Sequence, residues 1–287
     1  MHKTQTHLVP KLLKPIRLQE YGVNIFQLAF TKSALKKALK KNHITVNGTI
    51  ATSATFIKGG ETICLSISEN SKPKSKLTFK LNVLFEDDYL AIIHKPAGIV
   101  VSGNCFKTIA NALQQNLKWS TLADATIPQP VHRLDYPTTG LLLIGKTNSS
   151  IRALNQLFKD KKIKKTYTAI TIGKMSKTGK IKSDIDGKQS QSNYNVKTSV
   201  DSVRFGTLNL VKLQPKTGRK HQLRKHLLSI GNPILGDKEY GIETLILKGK
   251  GLFLHANTLK FRHPFTKKTL SIQDEFPEKF KKIFSSL

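Results

Sequence analysis

The chain has 287 residues, 38% of them apolar, and carries 48 Lys and Arg against 18 Asp and Glu, a formal net charge of +30. That length allows one large domain or two ordinary ones with real cores, while no apolar run approaches the roughly 18 residues that a spanning helix needs. The first residues lack the apolar core of a signal peptide, and Cys64 and Cys105 stand alone rather than in a metal-ligand pair, so a cytoplasmic monomer with no membrane partner is expected. A positive field of this size draws polyanions, which points to nucleic acid. Lys far outnumbers Arg and aromatics are only 7%, a balance suited to phosphate tracking more than to reading bases by stacking.

Residues 1–15 show no periodicity and are expected to form a mobile tail. A compact unit follows over 16–70. Thr31-Lys32-Ser33 can cap a helix that runs on through Lys41; Lys36, Lys37, Lys40 and Lys41 share one face, Leu35, Ala38 and Leu39 the other. Asn42 suits a left-handed stop, Ile44-Thr45-Val46 reads as a strand and Asn47-Gly48 as a tight hairpin turn. Thr62-Ile63-Cys64-Leu65 reads as a further strand after Gly59-Gly60. The Ser/Lys-rich stretch Ser66–Lys76, broken by Pro73, places a linker at 71–78.

From 79 to 287 strands and helices mix. Val83-Leu84-Phe85 and Leu90-Ala91-Ile92-Ile93 read as strands around an acidic turn, and Lys95-Pro96-Ala97-Gly98 as the next turn. Helical spacing marks Lys107–Leu117, and a helix capped at Asn148-Ser149-Ser150 buries Ile151, Leu154, Leu157 and Phe158. Tyr167–Ile172 and Leu208–Leu213 read as strands, and Thr217-Gly218-Arg219 is expected to open a helix that Gly231 closes.

The stretch His132-Arg133-Leu134-Asp135-Tyr136-Pro137-Thr138-Thr139-Gly140 concentrates the chemistry. Asp135 lies in a loop just before an apolar strand, held firmly yet open to a ligand; the plain alternative is that it caps its own turn. Gly140–Thr147 formally fits the phosphate-loop pattern G-x-x-x-x-G-K-[ST], but its Leu-Leu-Leu-Ile interior is strand material and leaves no loop to wrap a phosphate. His221 and His226, five apart on a helix, fall on different faces and make no metal pair. Neither a G-x-S-x-G elbow nor a carboxylate cluster is present.

Two resemblances rest on these residues. Lys32-Ser33, Lys36-Lys37, Ile44–Gly48 and Gly59-Gly60-Glu61 resemble the S4 RNA-binding domain, with Lys32, Asn42 and Glu61 departing from its usual Arg, Gly and Asp. Across nearly all of 83–280 the chain resembles the RluA-type RNA pseudouridine synthases. The motifs are His132–Asp135 with Thr138-Thr139-Gly140, Lys164-Lys165-Thr166-Tyr167, Thr217–Arg224, Pro233–Asp237 with Tyr240-Gly241, and Leu254-His255-Ala256; Lys220 and Thr139 depart from the pattern.

The resemblance implies an α+β protein: a small S4-like α/β hairpin domain, then a catalytic domain on a mixed, mainly antiparallel sheet. It implies isomerisation of uridine to pseudouridine by base flipping in structured RNA, ribosomal RNA ahead of transfer RNA, without a cofactor or metal. By it Asp135 is the essential carboxylate, Arg219 its charge partner, and Tyr167 the ring that stacks on the extruded uracil and assists proton removal; the plain alternatives are a phosphate contact for Arg219 and a half-buried strand tyrosine for Tyr167. Arg133 fills the vacated hole or grips its phosphate, and Lys36, Lys37, Lys40, Lys41 and Arg224 contact RNA. The rival is a non-catalytic RNA-binding or ribosome-assembly protein that keeps the fold; the presence of Asp135 and Tyr167 favours the enzyme.

Overall fold

The computed structural model describes residues 2–68 and 77–285, and the chain forms two compact units, Met1–Ser75 and Lys76–Leu287. The first contains β1 (His2–Leu8), β2 (Ile16–Arg17), α1 (Leu18–Tyr21), α2 (Lys32–Lys40), β3 (Ile44–Val46), β4 (Thr49–Ile50), β5 (Phe56–Ile57) and β6 (Thr62–Ser68). Its four-stranded sheet runs β1-β6-β3-β4, and β2 pairs β5 separately.

Helix α2 forms where its pattern predicts. Thr31 Oγ1 accepts from Ala34 N at 3.2 Å, the bond an N-cap supplies. Leu35, Ala38 and Leu39 are buried with Ile44, Ile63 and Leu65 in one core, while Lys36, Lys37, Lys40 and Lys41 are exposed. Asn42 takes the left-handed conformation at φ 58°. Asn47 and Gly48, at φ 49° and 81°, turn β3 into β4, as a two-residue hairpin requires.

One expectation fails here. Residues 2–8 of the supposed tail are strand β1, paired antiparallel with β6 from His2↔Ser68 to Leu8↔Thr62. His-Lys-Thr-Gln-Thr-His carries no apolar signal because β1 is an edge strand with mostly exposed residues. Backbone bonds to a strand some sixty positions away order it. Ser66–Ser68, read with the linker, complete β6; residues 71–76 of the linker lie outside the described residues.

The second unit contains β7 (Asn82–Glu86), β8 (Leu90–Lys95), α3 (Ile109–Asn116), β9 (Ala125–Pro130), β10 (Thr139–Thr147), α4 (Asn148–Lys159), β11 (Lys164–Ile172) and β12 (Thr178–Lys182). It continues with β13 (Gln191–Ser202), β14 (Gly206–Pro215), α5 (Gln222–Ser229), β15 (Leu254–Arg262), β16 (Thr269–Gln273) and α6 (Glu278–Lys281). The order β12-β13-β14-β11-β15-β10-β8-β7 makes one mixed sheet, with β16 beside β15 and β9 beside β10. Its ladders are antiparallel except for a short parallel contact of β10 with β15.

Both faces of the centre are covered. Ala91, Ile93, Leu142 and Ile144 enter one core and Leu90, Ile92, Leu141 and Leu143 another, which is why these strands read as unbroken apolar runs. Gly140–Thr147 is therefore strand, and Lys146, in the place of a phosphate-loop lysine, is buried against Glu86 at 2.7 Å. The residue before α4, Thr147, is its cap, in a box with Ser150. Gly140, at φ 115°, lies so close to the Ala256 backbone that a Cβ would overlap it. The close crossing of β10 and β15 at Thr139↔His255 and Gly140↔Ala256 fixes where the Asp135 loop leaves the sheet.

Candidate active site

A cleft of about 1170 Å³ opens over the second unit, lined by His132–Asp135, Thr138, Lys165, Tyr167, the segment 214–224 and Leu254, among others. Nine lysine or arginine side chains line it against one carboxylate, that of Asp135. Asp135 is largely buried, its side chain 18% exposed.

The loop that carries Asp135 is held from within. Thr138 N donates to Asp135 O at 3.1 Å, closing the turn. Lys95, wholly buried at the end of β8, directs its ammonium to three carbonyls: Pro96 O at 2.9 Å, Tyr136 O at 3.3 Å and Thr138 O at 2.8 Å. Burial pulls the Lys95 pKa down to about 8, with the Asp135 carboxylate pulling the other way. On the near side of the loop, His132 Nε2 accepts from Leu143 N at 2.9 Å and the ring packs on Phe158. Burial first, then the charge of Lys165, lowers the His132 pKa to about 3, so this histidine is neutral.

Tyr167, on β11, is buried with its ring at the cleft. Burial, then the neighbouring Asp135 carboxylate, pushes its pKa well above that of a free phenol. It is a neutral O–H group at working pH. Asp135 and Tyr167 line the same cleft.

Neither Arg219 nor Arg224 lies where the sequence reading puts it. Helix α5 starts not at Thr217-Gly218-Arg219 but at Gln222, because His221 turns the chain at φ 53°. Gln222 Oε1 ties the turn, accepting from Thr217 Oγ1 at 2.7 Å and Arg219 N at 3.0 Å. Arg219 is left exposed, donating to Gln189 O from Nε at 3.2 Å and Nη2 at 3.1 Å, so it is not the buried charge partner of Asp135. Arg224, expected to touch RNA, is 4% exposed instead. It binds Asp237 by two bonds of 2.7 Å, approaches Glu239 at 3.2 Å and covers the Tyr240 ring at 4.7 Å. Burial opposes its charge, but the bonds to Asp237 and the carboxylates of Asp237, Glu239 and Asp135 outweigh it and raise its pKa. The cation that senses Asp135 from α5 is thus Arg224, one and a half turns further along than expected.

The spacing of His221 and His226 excludes a metal pair. The two go to different surroundings. His221 Nε2 lies 3.7 Å from Asp135 Oδ1 and Nδ1 lies 2.9 Å from Tyr240 Oη, while His226 is buried between Ser190 and Ser192. Arg133 is exposed on the cleft wall, where a phosphate or a base can reach it. Lys95 and His221 are site residues that the sequence reading missed; a lysine before Pro-Ala-Gly read only as a turn. Lys36, Lys37, Lys40 and Lys41 belong to the first unit.

Comparison with known proteins settles the family. Residues 89–229 match the family described as RNA pseudouridylate synthase. Ribosomal large subunit pseudouridine synthase C of Rickettsia felis is 32% identical over 91% of this chain and 93% of its own length. The chain belongs to the RNA pseudouridine synthase family. Ribosomal large subunit pseudouridine synthase D of Nitrosomonas europaea is 31% identical, over 94% of this chain and 84% of its own. Among solved structures, Human RNA Pseudouridylate Synthase Domain Containing 4 superposes with a TM-score of 0.54 at 26% identity, over 69% of this chain and 90% of that one. The enzyme is accordingly an RNA-directed isomerase of the RluA type. Among the described residues no helix is long and apolar enough to cross a membrane.

Proposed function

We propose that this pseudouridine synthase isomerises uridine in ribosomal RNA, with Asp135 as the essential carboxylate and Tyr167 as the ring that receives the extruded base. The observation that carries the reading is a single carboxylate in a cleft of nine cations, next to a buried tyrosine. The cations attract a polyanion, and a duplex base must leave its stack before anything in such a cleft can reach it. Isomerisation breaks the C1′–N1 bond and forms a C1′–C5 bond, with a proton leaving C5 and one returning to N1. An ionised carboxylate can attack or stabilise the electron-poor centre in that exchange, and Arg224 is among the cations that line the cleft around it. Arg133 is suited to occupy the vacated stack or hold its phosphate, and Arg219 to contact the backbone.

The ribosomal large subunit is named in the relatives from Rickettsia felis and Nitrosomonas europaea, which supports ribosomal over transfer RNA. The first unit fits an S4-type docking domain: a basic helix on a small hairpin sheet, with its lysines unburied. The protein is read as a cytoplasmic monomer.

The test maps pseudouridines in RNA from cells with and without the protein, then assays the purified enzyme on the site found. A ribosomal uridine that loses modification with the protein, and regains it with wild type but not with Asp135→Asn, is the expected result. Residual turnover by Asp135→Asn at the wild-type rate would remove Asp135 from the mechanism.

A further inference from the structure

Among the described residues of the second unit, Lys95 and Lys146 are buried and Lys279 and Lys165 partly so, and the first three are satisfied by the protein. Lys95 bonds three carbonyls, Lys146 bonds Glu86 and the Asp87 carbonyl, and Lys279 bonds the carbonyls of Lys250 and Leu252. The fourth, Lys165, is not. Among the described residues its ammonium makes no hydrogen bond and no ion pair; it lies over the face of Phe158, 5.7 Å from the ring centroid. Burial alone lowers its pKa, with no carboxylate raising it in return. A partly buried ammonium without an acceptor is costly, and the cost is offset when an anion arrives.

The position of Lys165 says which anion. On β11 it stands two residues before Tyr167, on the same face of the strand, and both side chains line the cleft. The two are about 7 Å apart along the strand, at roughly 3.4 Å per residue. That is the scale of one nucleotide, from its phosphate to its base. Gly218 borders the same ammonium: an added Cβ there would come within 3.9 Å of Lys165 Nζ.

We propose that Lys165 binds the phosphodiester adjoining the extruded uridine, so that β11 holds a single nucleotide at both ends, its phosphate on Lys165 and its base on Tyr167. The inference rests on the reading of the cleft as the uridine site. It makes Lys165 a binding residue for the target nucleotide, distinct from cations that track neighbouring phosphates.

The test uses a short RNA stem-loop around the uridine that mapping locates, and two versions in which the linkage on the 5′ or the 3′ side of that uridine is a neutral methylphosphonate. Binding affinity and single-turnover rate are measured for the wild type and for Lys165→Gln. Neutralising the correct linkage is expected to weaken binding by wild type about ten- to a hundredfold, the range for a hydrogen bond to a charged group. Lys165→Gln is expected to lose a similar factor on native RNA and nothing further on that modified RNA. Because the wild type alone reports the linkage effect, a folding defect in the variant leaves the first arm intact. If neither linkage matters to wild type, or if the two losses multiply, the inference is overturned. Absence of turnover by wild type on native RNA defeats the reading of the site and the inference with it, whereas turnover with independent losses defeats only the inference.

Discussion

Arg224 holds Asp237 through two parallel bonds, Nε to Oδ2 and Nη2 to Oδ1, each 2.7 Å long. Both side chains are buried, at 4% and 1% exposure. Asp237 Oδ1 also accepts from Glu239 N and Tyr240 N at 3.0 Å, so one carboxylate fixes both the arginine and the turn that supplies Tyr240 to His221. Removing one partner of such a pair strands the other, at a cost of about 3–5 kcal/mol.

Arg224→Gln is therefore expected to lower the unfolding free energy by about that amount and to abolish turnover. Arg219 is exposed and donates to the Gln189 carbonyl, so Arg219→Gln should stay within about 0.5 kcal/mol of wild type in stability, as exposed substitutions do, and weaken RNA binding without stopping isomerisation. Urea melts and single-turnover assays of both variants check the assignment. Equal loss of activity in the two, with Arg219→Gln fully stable, would return Arg219 to the chemistry.

Tyr167 is a phenol that keeps its proton, since burial and then Asp135 both raise its pKa. It can pass a proton only by giving up its own, and no gain in rate from phenolate formation is expected across neutral pH. Tyr167→Phe should retain affinity within a few-fold and lose rate by about 10²–10⁴ if the hydroxyl takes part in proton transfer. Tyr167→Ala should also lose affinity, by about 1–3 kcal/mol of stacking. Equal rates for Phe and wild type would leave stacking as the residue's whole role.

How far these features were legible depends on what each residue signals locally. The β8 and β10 strands showed in the sequence because burial on both faces leaves no polar position. The pairing of Asp135 with Tyr167 was legible as separated motifs, although no periodicity joins them. Strand β1 was not legible, since an edge strand ordered by backbone bonds needs no apolar residue. Arg224 was misassigned through one dihedral: His221 at φ 53° delays α5 by a few residues, and that rotates a different arginine inward. Lys95 gave no sign at all. Its burial depends on carbonyls of Tyr136 and Thr138, some forty residues away, and Lys next to Pro-Ala-Gly looks like any surface turn.

Lys95 also sets a pH dependence. Its pKa falls from 10.5 to about 8, with burial the cause and Asp135 opposing it. Between these values the unfolded chain holds a proton that the folded chain lacks, so unfolding free energy rises with pH. The contribution is complete above 10.5 and lost as pH falls to about 8. Activity should move the other way, falling as pH passes about 8, because the carbonyls of Pro96, Tyr136 and Thr138 lose their charged donor. The check is the difference in stability between wild type and Lys95→Met over pH 7 to 11 (roughly the span of the two pKa values), which also cancels the similarly lowered Lys279. A flat difference would mean that Lys95 does not titrate in that window.

Helix α2 offers the last test. Lys36, Lys37, Lys40 and Lys41 are all exposed, while Leu35, Ala38 and Leu39 on the other face are buried. Among the described residues Lys32 pairs with Glu20 at 2.6 Å, whereas these four make no ion pair within their unit, which leaves their charge available to phosphate. Each phosphate neutralised releases counterions, so a docking face appears in the salt dependence of binding. Replacing all four with Gln should weaken RNA binding and flatten the slope of log affinity against log salt by up to roughly 0.7–0.9 per lost contact. The fold should survive, since no buried group changes, and single-turnover isomerisation at saturating enzyme should keep a near-normal rate because the cleft belongs to the other unit. A merely solvated face predicts an unchanged slope. An identical slope in the two proteins would therefore remove α2 from RNA docking, whereas a flattened slope with an intact rate assigns docking to the first unit and chemistry to the second.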